Sequence, residues 1–203
     1  MLIAGAKPVY GEDSFKRMYG EIVPEPAERV REAADGSRWT LGRRELLVRD
    51  TPGHARHHFC VWDETSRGWF TGDTLGIGYR ELYCGGEPFL IPTTTPVQFE
   101  PEALLASIEL LMAAGPRYCY LTHFGRIAAS ARHAESLRRQ IGDYVHLAEG
   151  IDSTDAGAQA ALTEALMTYT VDGLHAAGST LPATTLRALL ALDMELSAQG
   201  LVH

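Results

Sequence analysis

The sequence predicts an α/β fold that ends in helices. Three observations carry this expectation. Short apolar runs closed by Gly or Pro recur between residues 45 and 73, and runs of that kind read as buried strands. A helix-periodic stretch after Phe99-Glu100-Pro101-Glu102 leads into a further apolar run, Tyr118-Cys119-Tyr120-Leu121, which is the helix-then-strand order of an α/β layer. Beyond residue 126 the apolar spacing turns helical.

Taken in order, residues 1–28 read as a short helical or irregular segment. Asp13-Ser14-Phe15-Lys16-Arg17-Met18-Tyr19 has helical spacing, and Pro24 and Pro26 close it. Strand language begins near Val30. Asp35-Gly36-Ser37 is the expected hairpin turn, and Glu45-Leu46-Leu47-Val48-Arg49 the expected strand. His58-Phe59-Cys60-Val61-Trp62 is the next, followed by a turn over residues 63–68 and a strand that runs into Gly72-Asp73. Residues 75–99 are rich in Gly, Pro and Thr and predict a long loop, functional or mobile. Pro101 opens a helix whose buried stripe is Leu104, Leu105, Ile108, Leu111 and Met112, and Gly115-Pro116 ends it. Helices are expected from His133 to Leu147, over 158–177 and over 182–200, the last two separated by Gly178-Ser179-Thr180-Leu181-Pro182.

The 203 residues suffice to bury a core. A formal charge of −8 argues against a nucleic-acid surface, which needs a basic patch. No apolar run approaches the roughly 20 residues of a membrane span, and no signal-peptide pattern opens the chain. Cys60, Cys84 and Cys119 are too irregularly spaced for a disulfide framework or a thiolate zinc site. They read as small buried hydrophobes, and a reducing cytoplasm is the expected compartment.

His54, Asp73 and His123 each lie just past a short apolar run, in Thr51-Pro52-Gly53-His54, Phe70-Thr71-Gly72-Asp73-Thr74 and Leu121-Thr122-His123-Phe124-Gly125. Strand ends are where a rigid scaffold can hold a ligand that a loop leaves open to substrate. Imidazole and carboxylate together suit zinc, with iron or manganese as alternatives. Of the neighbouring His57 and His58, at most one is expected to face the site, because adjacent side chains point in different directions. His133, His146, His175 and His203 lack a ligand-like context, and no Gly-x-Ser-x-Gly elbow or Cys–His signature supports nucleophilic chemistry.

The order, spacing and flanks of these motifs resemble the C-terminal part of the metallo-β-lactamase superfamily, especially its glyoxalase II-like hydrolases. The resemblance is good over residues 40–126. It implies an αββα sandwich, N-terminally incomplete here, with a metallo-β-lactamase-like domain over 1–150 and a C-terminal helical extension, 151–203, packed on it. It also implies that His54 binds a first metal, that Asp73 bridges two metals at the catalytic centre, and that His123 binds the second. The family's His-x-His-x-Asp-His motif, which supplies the remaining ligands, does not occur in this chain. The segment Asp193-Met194-Glu195-Leu196-Ser197-Ala198-Gln199-Gly200 is similar to tails that pack near the substrate cleft or the subunit interface.

The function the resemblance implies is hydrolysis of an ester, thioester, lactone or similar bond by a metal-activated hydroxide. With an incomplete ligand set, three readings stand side by side: part of a metallohydrolase, a non-catalytic binding protein, or a half-site completed by another chain. The apolar face of the strands at 45–49, 58–62 and 118–121 would lack a partner sheet, so a homo-oligomer or another association through that face is expected.

Overall fold

A computed structural model describes residues 11–94 and 98–202. The expectations for residues 1–10, for Thr95 and Pro96 and for His203 lie outside them. The chain forms two compact units, one ending at Ala33 and one starting at Ala34.

The first unit holds the expected helix, α1 (Glu12–Tyr19), with Glu12 and Asp13 in its first turn and Lys16 and Arg17 in its last. That charge order complements the helix dipole. A single 3-10 turn follows at Ala27–Arg29.

The second unit is built on a six-stranded sheet with spatial order β1-β2-β3-β4-β7-β8. Its strands are β1 (Arg38–Leu41), β2 (Arg44–Asp50), β3 (Phe59–Asp63), β4 (Gly68–Gly72), β7 (Tyr118–Leu121) and β8 (Gly125–Ala128). Neighbours are antiparallel except β4 and β7, which run parallel. β2, β4 and β7 therefore point the same way, and their carboxyl ends lie at one end of the sheet. A small antiparallel hairpin, β5 (Tyr83–Cys84) with β6 (Glu87–Pro88), stands apart. Four helices complete the unit: α2 (Pro101–Ala113), α3 (Ala131–Glu149), α4 (Ala158–Ala176) and α5 (Ala183–Val202). None of the described helices is long and apolar enough to cross a membrane.

Side chains alternate along each strand, so the sheet has two distinct faces. Trp62 pairs with Trp69, Trp69 with Cys119 and Cys119 with Ile127, placing all four on one face with Cys60 and Leu121. These six are buried. Leu111 of α2 packs with Cys60, Trp62 and Trp69, while Leu104 and Ile108 of α2 and Leu137 and Ile141 of α3 pack with Cys119, Leu121 and Ile127. The other face carries Phe59, Val61, Phe70, Tyr118 and Tyr120, and there Phe59 is 56% and Phe70 47% exposed.

Several sequence expectations are corrected. The two-residue hairpin turn is Gly42-Arg43, between β1 and β2. Asp35-Gly36-Ser37 precedes β1 and is tied to β2 through Val48, whose O accepts from Gly36 N and whose N–H donates to Ser37 O, each at 2.9 Å. Helical structure does not begin after residue 126, because β8 pairs antiparallel with β7 and α3 starts at Ala131. Of the stretch 75–99, residues 75–94 form a folded segment. Leu75, Ile77, Leu82, Leu90 and Ile91 are buried, Ile77 and Ile91 form a β-bridge, and Ile77, Leu82 and Ile91 share a core with α4 and α5. Leu105 and Met112 of the predicted α2 stripe are only partly buried. Residue 150 lies between α3 and α4, inside this second unit.

Candidate metal site

His54, Asp73 and His123 lie just beyond the carboxyl ends of β2, β4 and β7, so the topology brings them to the same end of the sheet. His54 Nε2 is 3.5 Å from Asp73 Oδ2, and His123 Nε2 is 3.1 Å from Asp73 Oδ1.

The local sequence explains each placement. In Thr51-Pro52-Gly53-His54 the turn lies against the start of α2. Gly53 O accepts from Glu100 N at 2.8 Å, and Pro52 O accepts from Ser107 Oγ at 2.6 Å. Gly53 has φ 129°, and a Cβ there would sit 2.2 Å from Leu104 N. Only glycine allows this approach. His54 Nδ1 is 3.2 Å from Thr93 O. A carbonyl only accepts, so Nδ1 carries the proton and Nε2 is the nitrogen turned toward Asp73. Thr93 grips Asp73 as well, its hydroxyl donating to Asp73 O at 2.6 Å. His123 is held by its backbone, with Gly78 N donating to His123 O at 3.0 Å.

His58 faces the site, and its Nε2 is 2.9 Å from Asp73 N. His57 is exposed. His133 is buried on α3 with Nε2 3.8 Å from Glu87, His146 faces Glu149, and His175 Nε2 lies 3.0 Å from Leu181 O. None of these joins the site.

Burial opposes ionisation of Asp73, but the imidazoles of His123, His54 and His58 outweigh it and hold the carboxyl below its ordinary range. The Asp73 carboxylate raises the pKa of His123 against its partial burial, and Asp193 on α5 adds to the effect. Burial lowers the pKa of His58. The C-terminal helix thus acts on the site through Asp193, whose carboxylate accepts from Tyr79 Oη at 3.2 Å. Tyr79 in turn meets the ring of Phe124 edge-on at 5.4 Å. Thr93, Tyr79 and the Asp193 contact were not singled out from sequence. Thr93 carried only a weak signal, its place in a Pro-flanked loop between two ligand motifs.

The donor set suits a divalent cation in three respects. Asp73 Oδ1 is buried with no hydrogen-bond partner, since His123 Nε2 is close but not aligned to donate. A ligand imidazole commonly gives its other N–H to a carbonyl, as His54 gives Nδ1–H to Thr93. The separations of 3.1 and 3.5 Å are close to the roughly 3.0–3.4 Å between two ligands that each lie ~2.1 Å from one ion. Among the described residues no three His, Cys, Asp or Glu side chains are grouped to hold a metal. The reason is geometric: Asp73 meets each imidazole through a different oxygen, so the arrangement is two pairs that share a carboxylate.

The fold is similar to that of solved structures. An archaeal metallo-beta-lactamase superfamily protein from Sulfolobus tokodaii matches 98% of this chain at 20% identity with a TM-score of 0.55, and the match covers 61% of that chain. A beta-lactamase domain protein from Burkholderia ambifaria matches 100% of this chain at 15% identity and the same TM-score of 0.55, covering 54% of its own length. The chain therefore spans less than two thirds of either structure, and likeness at this identity concerns the fold alone. The family model of the metallo-beta-lactamase superfamily matches residues 5–123, a stretch that holds His54, Asp73 and His123 and makes up more than half of the sequence, and the chain belongs to that superfamily.

Proposed function

We propose that this chain contributes His54, Asp73 and His123 to the site of a metal-dependent hydrolase that cleaves an ester, thioester, lactone or similar bond. Membership of a usually hydrolytic superfamily supports the reaction class. The single observation that carries the reading is the buried, donor-less Oδ1 of Asp73 beside the His123 imidazole, with the other carboxylate oxygen facing His54. Burying a carboxylate oxygen unsatisfied costs free energy that a cation would offset. In this reading Asp73 divides its two oxygens between two cation positions. His54 meets one through Nε2 while Thr93 fixes its tautomer, and His123 meets the other through Nε2. A bound zinc, iron or manganese ion would polarise a substrate carbonyl and acidify water. The His123 side chain, 48% exposed against 18% for His54, is the more accessible of the two imidazoles.

Each pair offers two protein donors, fewer than the three that zinc sites use. The chain by itself should therefore bind zinc weakly and at no more than one ion. Calorimetric titration with zinc tests this, together with Asp73→Ala, expected to abolish binding because it removes the shared carboxylate, His54→Ala and His123→Ala, each expected to remove one of the two pairs and weaken binding, and His133→Ala, expected to preserve it. Two tightly held ions per chain, or equal losses from all four variants, would overturn the assignment.

The exposed aromatic face favours a second element of the reading, association of this chain with another copy or with a chain that supplies further ligands. Phe59 and Phe70 give that face the apolar character of an interface.

A further inference from the structure

We propose that His58 is a positioning residue that holds the backbone of Asp73 through a buried relay of hydrogen bonds, and that this relay fixes the His54 loop and the Asp73 loop in one register. The proposal rests on the reading above only in taking those two residues as site residues.

The relay can be followed atom by atom. Asp73 N lies 2.9 Å from His58 Nε2. A backbone N–H only donates, so Nε2 accepts and the ring proton sits on Nδ1. Nδ1 is 3.1 Å from both Thr51 Oγ1 and Thr74 Oγ1. The Thr74 hydroxyl donates to Thr51 Oγ1 at 3.4 Å, the Thr51 hydroxyl to Cys60 Sγ at 3.2 Å, and the Cys60 thiol to Thr71 O at 3.2 Å. If Nδ1–H goes to Thr74, every hydrogen in the series is used once, and the series ends on a carbonyl that needs none in return. Thr51, Cys60, Thr71 and Thr74 are all buried. Because these members are buried, breaking one link orphans a buried donor or acceptor.

The members of the relay come from the segments that matter. Thr51 opens the His54 turn, His58 and Cys60 lie at the start of β3, and Thr71 and Thr74 flank Asp73. Gly72 completes the fit. Its φ is 49°, and a Cβ there would sit 2.3 Å from His58 Nε2, in the space the imidazole occupies. Gly72 and His58 are therefore a matched pair. The ring accepts the Asp73 N–H only because the preceding residue has no side chain.

The test uses the full chain, first with chelator and no added metal. Nitrogen–proton correlation spectra should assign His58 as the Nδ1–H tautomer, with a scalar coupling across the hydrogen bond from the Asp73 amide proton to His58 Nε2. An Nε2–H tautomer would overturn the proposal. His58→Phe should speed exchange of the Asp73 amide by roughly tenfold or more, and His58→Gln, whose side-chain oxygen can accept that N–H, should keep it within a few fold of the parent. Equal exchange in the two variants would reduce His58 to a space-filler and sink the idea. If His58→Phe does not fold, Thr74→Val carries the test, because it leaves the ring in place and should remove the single-tautomer signal. Zinc titration then adds a second readout: affinity should fall roughly 10–100-fold in His58→Phe and recover in His58→Gln. If the parent chain binds no zinc, the metal-site reading fails, while the metal-free spectra still decide whether His58 holds Asp73.

Discussion

The two faces of the six-stranded sheet are made from adjacent residues and meet opposite fates. On one face Trp69 is 2% exposed, packs with Trp62 at a ring separation of 5.1 Å, and donates its indole N–H to Leu111 O at 2.9 Å. On the other, its neighbour Phe70 is 47% exposed and stacks on Tyr120 at 4.8 Å. Tyr118 beside them lies under the guanidinium groups of Arg117 and Arg126, at 5.0 and 4.6 Å. The difference teaches that strand alternation alone does not decide what is core. Both faces carry large apolar side chains, and among the described residues those on the face that α2 and α3 cover are the more deeply buried.

The largest test of this contrast is Trp69→Ala against Phe70→Ser. Trp69→Ala empties a helix-covered cavity and orphans the Leu111 carbonyl, so a loss of about 3–5 kcal/mol is expected in chemical denaturation. Phe70→Ser removes an exposed stack and should cost about 1 kcal/mol or less. Comparable losses would mean that the second face is also closed in solution.

A smaller effect is expected in association. The paired substitution Phe59→Lys with Phe70→Lys places like charges on the open face and should weaken self-association, read by sedimentation equilibrium. The parent chain is expected to be heavier than a monomer. A monodisperse parent monomer would show that the aromatic face is compatible with a chain on its own.

The same contrast explains what was legible in the sequence. The ligand motifs could be read because glycine and proline mark them, and the structure gives the physical cause at Gly53 and Gly72, where backbone or imidazole occupies the position of a Cβ. The strands β2, β3, β4 and β7 could be read as apolar runs. β8 could not, because Gly125-Arg126-Ile127-Ala128 has a single large apolar side chain, Ile127, and takes its strand form from pairing with Tyr118–Leu121. The hairpin turn was misplaced because Asp35-Gly36 is the stronger local signal, whereas the pairing of Leu41 with Arg44 puts the turn at Gly42-Arg43. Thr93 escaped notice because its role depends on contacts with His54 and Asp73, distant in sequence. His58 was read only as a candidate to face the site, since nothing local to it foretells a bond to the Asp73 backbone.

The smallest expected effect lies at the strand ends, where the polar cluster caps the sheet. The Asp73 pKa is lowered in the folded chain and that of His123 is raised. A lowered carboxyl contributes stability that is present above its unfolded pKa, about 3.8, and is lost as pH falls through the folded value. A raised imidazole contributes stability that is present below its unfolded pKa, about 6.5, and is lost as pH rises through the folded value. The two overlap between about pH 4 and pH 6.5, where the carboxylate and imidazolium coexist. The His123 side chain is 48% exposed, so solvent screens the pair and the gain is small. In chelator, the difference in melting temperature between the parent and His123→Ala should be largest near pH 5–6 and should shrink on either side. Asp73→Asn should flatten the same profile without lowering stability at high pH, because it removes the charge that raises His123. A difference that grows steadily toward alkaline pH would show that His123 stabilises the fold by some route other than its pairing with Asp73.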